Sequence, residues 1–99
     1  MRFRMYQSFR NGTIGTRKMG NKISMSGWVG HKNKGLADRE LICLLSVASG
    51  MTDKEIAQRD DLSPRSVKGR IESVMHKLSV YKRPAMVAEA MRKGIITPK

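Results

Sequence analysis

An all-α domain of four helices, preceded by a flexible basic arm, is the fold predicted by this 99-residue chain. Three observations predict it. From Leu36 onward apolar residues recur at helical spacing, in runs separated by cap and turn signals. The first 35 residues behave differently: they hold six of the nine glycines, eight Lys or Arg and no acid, and keep neither a period of 2 nor one of 3.6 for long. The length accommodates one small domain, with a core of a single helical layer. The expected division is a Gly-rich basic arm over 1–35, disordered, and a helical domain over 36–99. Within the arm "ISMSGWV" reads as a short extended segment, and Trp28 is expected to dock on the domain in preference to stacking on a base or standing free.

The helices follow in order. Leu41, Leu44, Leu45 and Ala48 fall at i, i+3, i+4 and i+7, one face of a first helix that Gly50 ends in the left-handed conformation. In "TDKE", Thr52 and Glu55 have the spacing of a capping box, and Asp53 complements the positive helix end, so a short second helix starts there and buries Ile56 and Ala57. Ser63 caps a third helix, with Pro64 at its first position, where a missing amide hydrogen costs nothing. Val67, Ile71, Val74 and Leu78 form its apolar stripe, leaving Arg65, Lys68, Gly69, Glu72 and His76 on or beside the opposite face. Pro84 opens a fourth helix through Lys93, closed by Gly94, with Ile95 and Ile96 packing back.

Composition narrows the function. A net charge of +12 and a pI near 10.6 favour a polyanionic partner. The single Cys43, in "LICLL", excludes a disulfide framework and reads as a buried structural thiol. No apolar run approaches the roughly 18 to 20 residues of a membrane helix, and "MRFRMYQSFRNG" lacks the apolar centre of a secretory signal. His31 and His76 lie far apart without ligand partners, so no metal and no cofactor is expected. No nucleophile and base, paired carboxylates or phosphate loop can be assembled, which argues against an enzyme.

Two helices joined by a tight break, the second basic in its N-terminal half away from its apolar stripe, describe a helix-turn-helix whose second member can enter the major groove of double-stranded DNA; the competing reading is the solvated face of an ordinary helical bundle. Arg65 and Lys68 reach phosphates or base edges there. Arg70 is better placed for the backbone, and the helix N-terminus at Ser63 suits a phosphate.

The stretch from Gly35 to Ile96 resembles the DNA-binding domain of the LuxR/GerE family of bacterial transcription regulators. The resemblance rests on "RE" at Arg39 and Glu40, "DKEIA" at Asp53 to Ala57, "SPRSVK" at Ser63 to Lys68, "KLSV" at Lys77 to Val80, Arg83, and the closing "GII". It implies a four-helix domain, a third helix in the major groove, and a fourth helix pairing two subunits on an inverted repeat. It also implies that Ser66, Val67 and Lys68 face DNA or the adjoining backbone, while Gly69 and Glu72 sit at variable base-reading positions. Glu72 either accepts from cytosine N4 or pairs with His76 or Lys68. The chain departs from the family pattern at Ala37, where a Thr or Ser cap is usual, at Ile42, at Arg70 and at Asp60. For Asp60 the expectation is an early end to the second helix, with the carboxylate turned to solvent or to Arg59, and a gain in stability for Asp60→Leu.

On the fourth helix, Met86, Val87, Ala88, Ala90 and Met91 span more than the stripe of about 100° that one core requires. A homodimer contact through Met86, Ala88 and Met91 is therefore expected. The resulting expectation is a sequence-specific regulator in the bacterial cytoplasm, associated with the nucleoid and not with a membrane. Abundance or a partner protein is expected to control it, since 35 Gly-rich residues build no sensory domain. The alternative is a protein-interaction module that binds RNA polymerase or another regulator, with weak or no specific DNA binding.

Overall fold

The computed structural model describes residues 17–99. Three strands come first, β1 (Arg17–Met19), β2 (Lys22–Met25) and β3 (Trp28–His31), followed by four helices, α1 (Asp38–Ala48), α2 (Asp53–Asp60), α3 (Pro64–Lys77) and α4 (Arg83–Arg92), and a last strand, β4 (Ile96–Pro98). The four helices stand where the periodicity put them. The all-α expectation does not hold, because the strands form an antiparallel sheet of order β1-β2-β3-β4. The flexible arm is thereby corrected at residues 17–31; residues 1–16 lie outside the described residues.

One face of this sheet belongs to the core. Ile23, Gly30 and Ile96 stand opposite one another across β2, β3 and β4, and all three are buried, as is Met25 further along β2. Gly30 explains how closely the sheet approaches α1. A Cβ built there would lie 2.9 Å from a methyl of Leu41 and 2.9 Å from one of Leu45, so only glycine lets this strand rest on those leucines without displacing them. Trp28 packs half-buried against the same cluster, the docking that its neighbourhood suggested.

The sheet escaped detection for physical reasons. Its inward residues alternate with Lys22 and Ser24 over only four positions, too few to establish a period of 2. Its fourth strand comes from the other end of the chain. Ile95 and Ile96 do pack back, as expected of an αL helix ending at Gly94, whose φ is +72°. They also carry the chain into β4, where His31 N–H donates to the Ile95 carbonyl at 2.8 Å and Lys99 N–H to that of Gly27 at 2.8 Å. His31 and Thr97 meet through Nε2 and Oγ1 at 3.2 Å on the outer face of the sheet.

The helical stripes close the rest of the core: Leu41, Leu44 and Leu45 from α1, Ile56 and Ala57 from α2, Val67, Ile71 and Val74 from α3, Leu78 behind it, and Met86 and Ala90 from α4. Cys43 is buried among them, and removal from water pushes its thiol up to about 11. A thiol held protonated in this way packs as a small apolar group. Among the described residues no helix is long and apolar enough to cross a membrane.

Candidate nucleic-acid interface

The α2–α3 pair is built by local chemistry at each end. Thr52 Oγ1 accepts from Glu55 N–H at 3.1 Å, and Glu55 Oε1 accepts from Thr52 N–H at 2.9 Å, completing the capping box. At the other end of α2, Asp61 takes φ 59° and ψ 47°, and Leu62 N–H returns to the Ala57 carbonyl at 2.8 Å. This left-handed closure reverses the chain within two residues. Ser63 Oγ then accepts from Ser66 N–H at 3.1 Å, with the two hydroxyls also 3.1 Å apart, and Pro64 occupies the first turn of α3.

Burial of the apolar stripe leaves one face of α3 in solvent. Ser63, Arg65, Ser66, Lys68, Gly69 and Glu72 are exposed, and Arg70 is half-buried at the margin. Val67 is the correction to the expected DNA-facing set. Its side chain is fully buried, because it opens the stripe that seats α3 on the other helices, so it supports the exposed face without being part of it. Glu72 forms no ion pair among the described residues, which leaves its carboxylate open to an external donor. On α4 a similar sorting holds. Ala88 and Met91 are exposed, whereas Met86 is fully buried and belongs to the core instead of any contact between subunits.

Three ion pairs support the helices around this face, and two of them, Glu40–Lys77 and Asp53–Arg83, had no role assigned by the sequence. Glu40, the N3 residue of α1, is buried at the crossing with α3. One oxygen accepts from Lys77 Nζ at 2.8 Å and from Ala37 N–H at 2.9 Å, the other from Ser73 Oγ at 2.7 Å. Burial works to raise its pKa, but the hydrogen bonds from Lys77, Ser73 and Ala37 outweigh it and hold the carboxyl at about 2. Glu40 thus supplies half of a capping box to a helix whose cap, Ala37, has no side-chain acceptor. Asp53 at the start of α2 is clasped by Arg83 at the start of α4, and those hydrogen bonds hold its carboxyl below the usual carboxylate range against the opposing effect of burial.

The third pair corrects the reading of Asp60. The helix does not end early, since α2 runs through Asp60. The carboxylate takes the partner that was expected, Arg59, whose Nε and Nη2 donate to its two oxygens at 2.8 and 3.0 Å. That arginine side chain is only 5% exposed, and its Nη1 also approaches the Met25 and Met51 sulfurs at 3.7 and 3.6 Å. Asp60 therefore balances a nearly buried cation wedged between the sheet and α2, a role that no local pattern announces.

A capped second helix, a two-residue reversal and a third helix with a basic, solvent-facing N-terminal half define a helix-turn-helix domain of the DNA-binding type. Comparison gives the same class. Residues 34–90 match the GerE family, the bacterial regulatory proteins of the luxR family, and the chain belongs to that family of transcription regulators. It is also similar to the transcriptional regulatory protein YdfI of Bacillus subtilis (strain 168), with 40% identity over 62 residues. That match covers 63% of this chain but 29% of the relative, so the chain spans less than a third of the length of the protein it resembles. No solved structure matches it significantly.

Proposed function

We propose that the chain is a sequence-specific DNA-binding transcription regulator that binds an inverted repeat as a dimer, with α3 in the major groove of each half-site. The observation that carries this reading is the division of α3. Its apolar stripe is spent on the core, while Arg65, Ser66, Lys68, Gly69 and Glu72 stay exposed on one basic face. A major groove about 12 Å wide admits one such helix. Arg65 and Lys68 supply charge to phosphates or base edges, and Glu72 supplies an acceptor suited to cytosine N4.

The exposed Ala88 and Met91, the latter 43% accessible, support a two-fold contact through α4. With Met86 in the core that contact is small, so the dimer forms chiefly on DNA. A regulator of this kind works at the bacterial nucleoid in the cytoplasm. Whether RNA polymerase or another regulator also docks on it is a separate property.

Selection of bound sites from random duplexes tests the reading, and one enriched inverted repeat is the expected result. Lys68→Ala and Arg65→Ala should each weaken binding while leaving the fold intact, since both side chains lie off the stripe. A lost phosphate contact lowers the salt slope by about 0.9, and a lost base contact relaxes preference at one position. Unchanged affinity in both variants at moderate salt would sink the role of α3. Retained binding to a protein partner without any enriched DNA site would favour an interaction module instead.

A further inference from the structure

Gly69 lies well inside α3, in helical conformation, on the exposed face. Glycine in a helix interior is less favourable than alanine, because it loses more backbone freedom on folding. Two internal reasons usually account for one, a left-handed backbone or a neighbour too close for a side chain. Neither applies among the described residues. Gly69 does not have a positive φ, and a Cβ built on it meets nothing within 4 Å, unlike the one built at Gly30. The fold itself would accept a side chain at 69.

Gly69 lies in the wall of a surface hollow of about 410 Å³ beside α3. Gly69 and Ser66 line it on the α3 side, Leu62 at the turn, and Arg39 reaches it from α1, with Arg70 at the margin. The one acid in its wall, Glu40, is already engaged by Lys77, Ser73 and the Ala37 amide. Arg39 and Arg70 form no ion pair among the described residues. The hollow therefore presents two guanidinium groups at a place where the main chain is bare.

We propose that this hollow seats a phosphate of the DNA backbone between Arg39 and Arg70, and that position 69 is glycine because a side chain would stand where the phosphodiester lies. The proposal rests on α3 being the DNA-reading helix. It adds Arg39, from outside the helix-turn-helix, to the binding surface, and it makes Gly69 a residue that sets approach distance. Guanidinium groups suit the site because they bind phosphate oxygens through paired, charge-assisted hydrogen bonds.

The experiment uses the full chain, with random-sequence duplex DNA and a selected binding site as the two probes. Gly69→Ala should raise the melting temperature of the free protein by a few degrees and weaken binding to both probes at least tenfold, opposite signs that a structural role cannot produce. Arg39→Gln should reduce the slope of log affinity against log salt by about 0.9, the value for one phosphate contact. Unchanged affinity for Gly69→Ala, or an unchanged slope for Arg39→Gln, overturns the proposal. So does a Gly69→Ala variant that loses preference at one base pair only, since position 69 would then face a base. If Lys68→Ala and Arg65→Ala are also silent, the reading of α3 fails; if they weaken binding, only the phosphate seat does.

Discussion

The guanidinium of Arg83, at the first position of α4, grips the carboxylate of Asp53, at the first position of α2, through two hydrogen bonds of 2.6 and 2.8 Å. The pair ties the helix expected to join two subunits directly to the helix-turn-helix. Arg83→Ala should lower stability by about 1 kcal/mol, a figure discounted because the arginine side chain is 39% exposed. Arg83→Lys should restore little, as one ammonium cannot reproduce a two-pronged contact. Because the folded carboxyl is held below its ordinary value, this contribution is present above the ordinary carboxylate range and fades as pH falls through the folded value. Thermal melts of wild type and Arg83→Ala that coincide at neutral pH would show the pair to be inert.

Glu40 gives a stronger acid dependence. With its carboxyl lowered from 4.5 to about 2, it adds stability that is complete above pH 4.5 and lost between there and pH 2, worth about 3 kcal/mol as an upper order of magnitude. Glu40→Gln should remove most of that at pH 7 and flatten the acid limb of the stability curve. Ala37→Ser should act in the other direction, adding about 1 kcal/mol by supplying the missing cap acceptor. An acid limb identical in Glu40→Gln and wild type would disprove the assignment.

For Asp60 the structure reverses the expectation drawn from the sequence. Replacing it with leucine removes the carboxylate that balances the nearly buried Arg59 guanidinium, so Asp60→Leu should destabilise by about 1 to 3 kcal/mol despite the added apolar surface. Chemical denaturation at pH 7 decides between the two signs, and a more stable mutant would restore the sequence-based view.

Gly30 tests whether the sheet is integral to the domain. Gly30→Val places methyl groups against Leu41 and Leu45, where even a single added carbon lies at 2.9 Å, and should cost about 1 to 3 kcal/mol through overpacking. Removal of residues 1–35 should cost more, since it strips Ile23 and Met25 from the core. A truncated domain as stable as the full chain would mean that the sheet only rests on α1.

Ala88→Arg addresses the two-fold contact. As Ala88 is exposed in the single chain, its replacement should leave stability within about 0.5 kcal/mol of wild type. Binding to paired half-sites should fall more than binding to one half-site. Equal loss on both would point to a monomeric binder.

The four helices were legible because each is specified locally: stripes such as Val67, Ile71, Val74 and Leu78 recur within a few turns, and the Thr52 and Ser63 caps lie within three residues of the amides they satisfy. The basic face of α3 followed from the same periodicity, since whatever the stripe does not bury is left to solvent. The sheet and the ion pairs of Asp53 and Glu40 obey no such local rule. β3 finds β4 more than sixty residues away, Asp53 meets Arg83 thirty residues on, and Glu40 meets Lys77 thirty-seven residues on. For Val67 the apolar stripe and the family resemblance pointed opposite ways, and burial sides with the stripe; Met86 was assigned an outward role that only burial could refuse, and Asp60 was judged by its own helix when its environment is set by Arg59, Met25 and Met51. Local spacing thus determined which helices form and which way α3 faces. Contacts between distant segments, where a buried charge must find its counter-charge and a strand its partner, were decided only when the chain closed on itself.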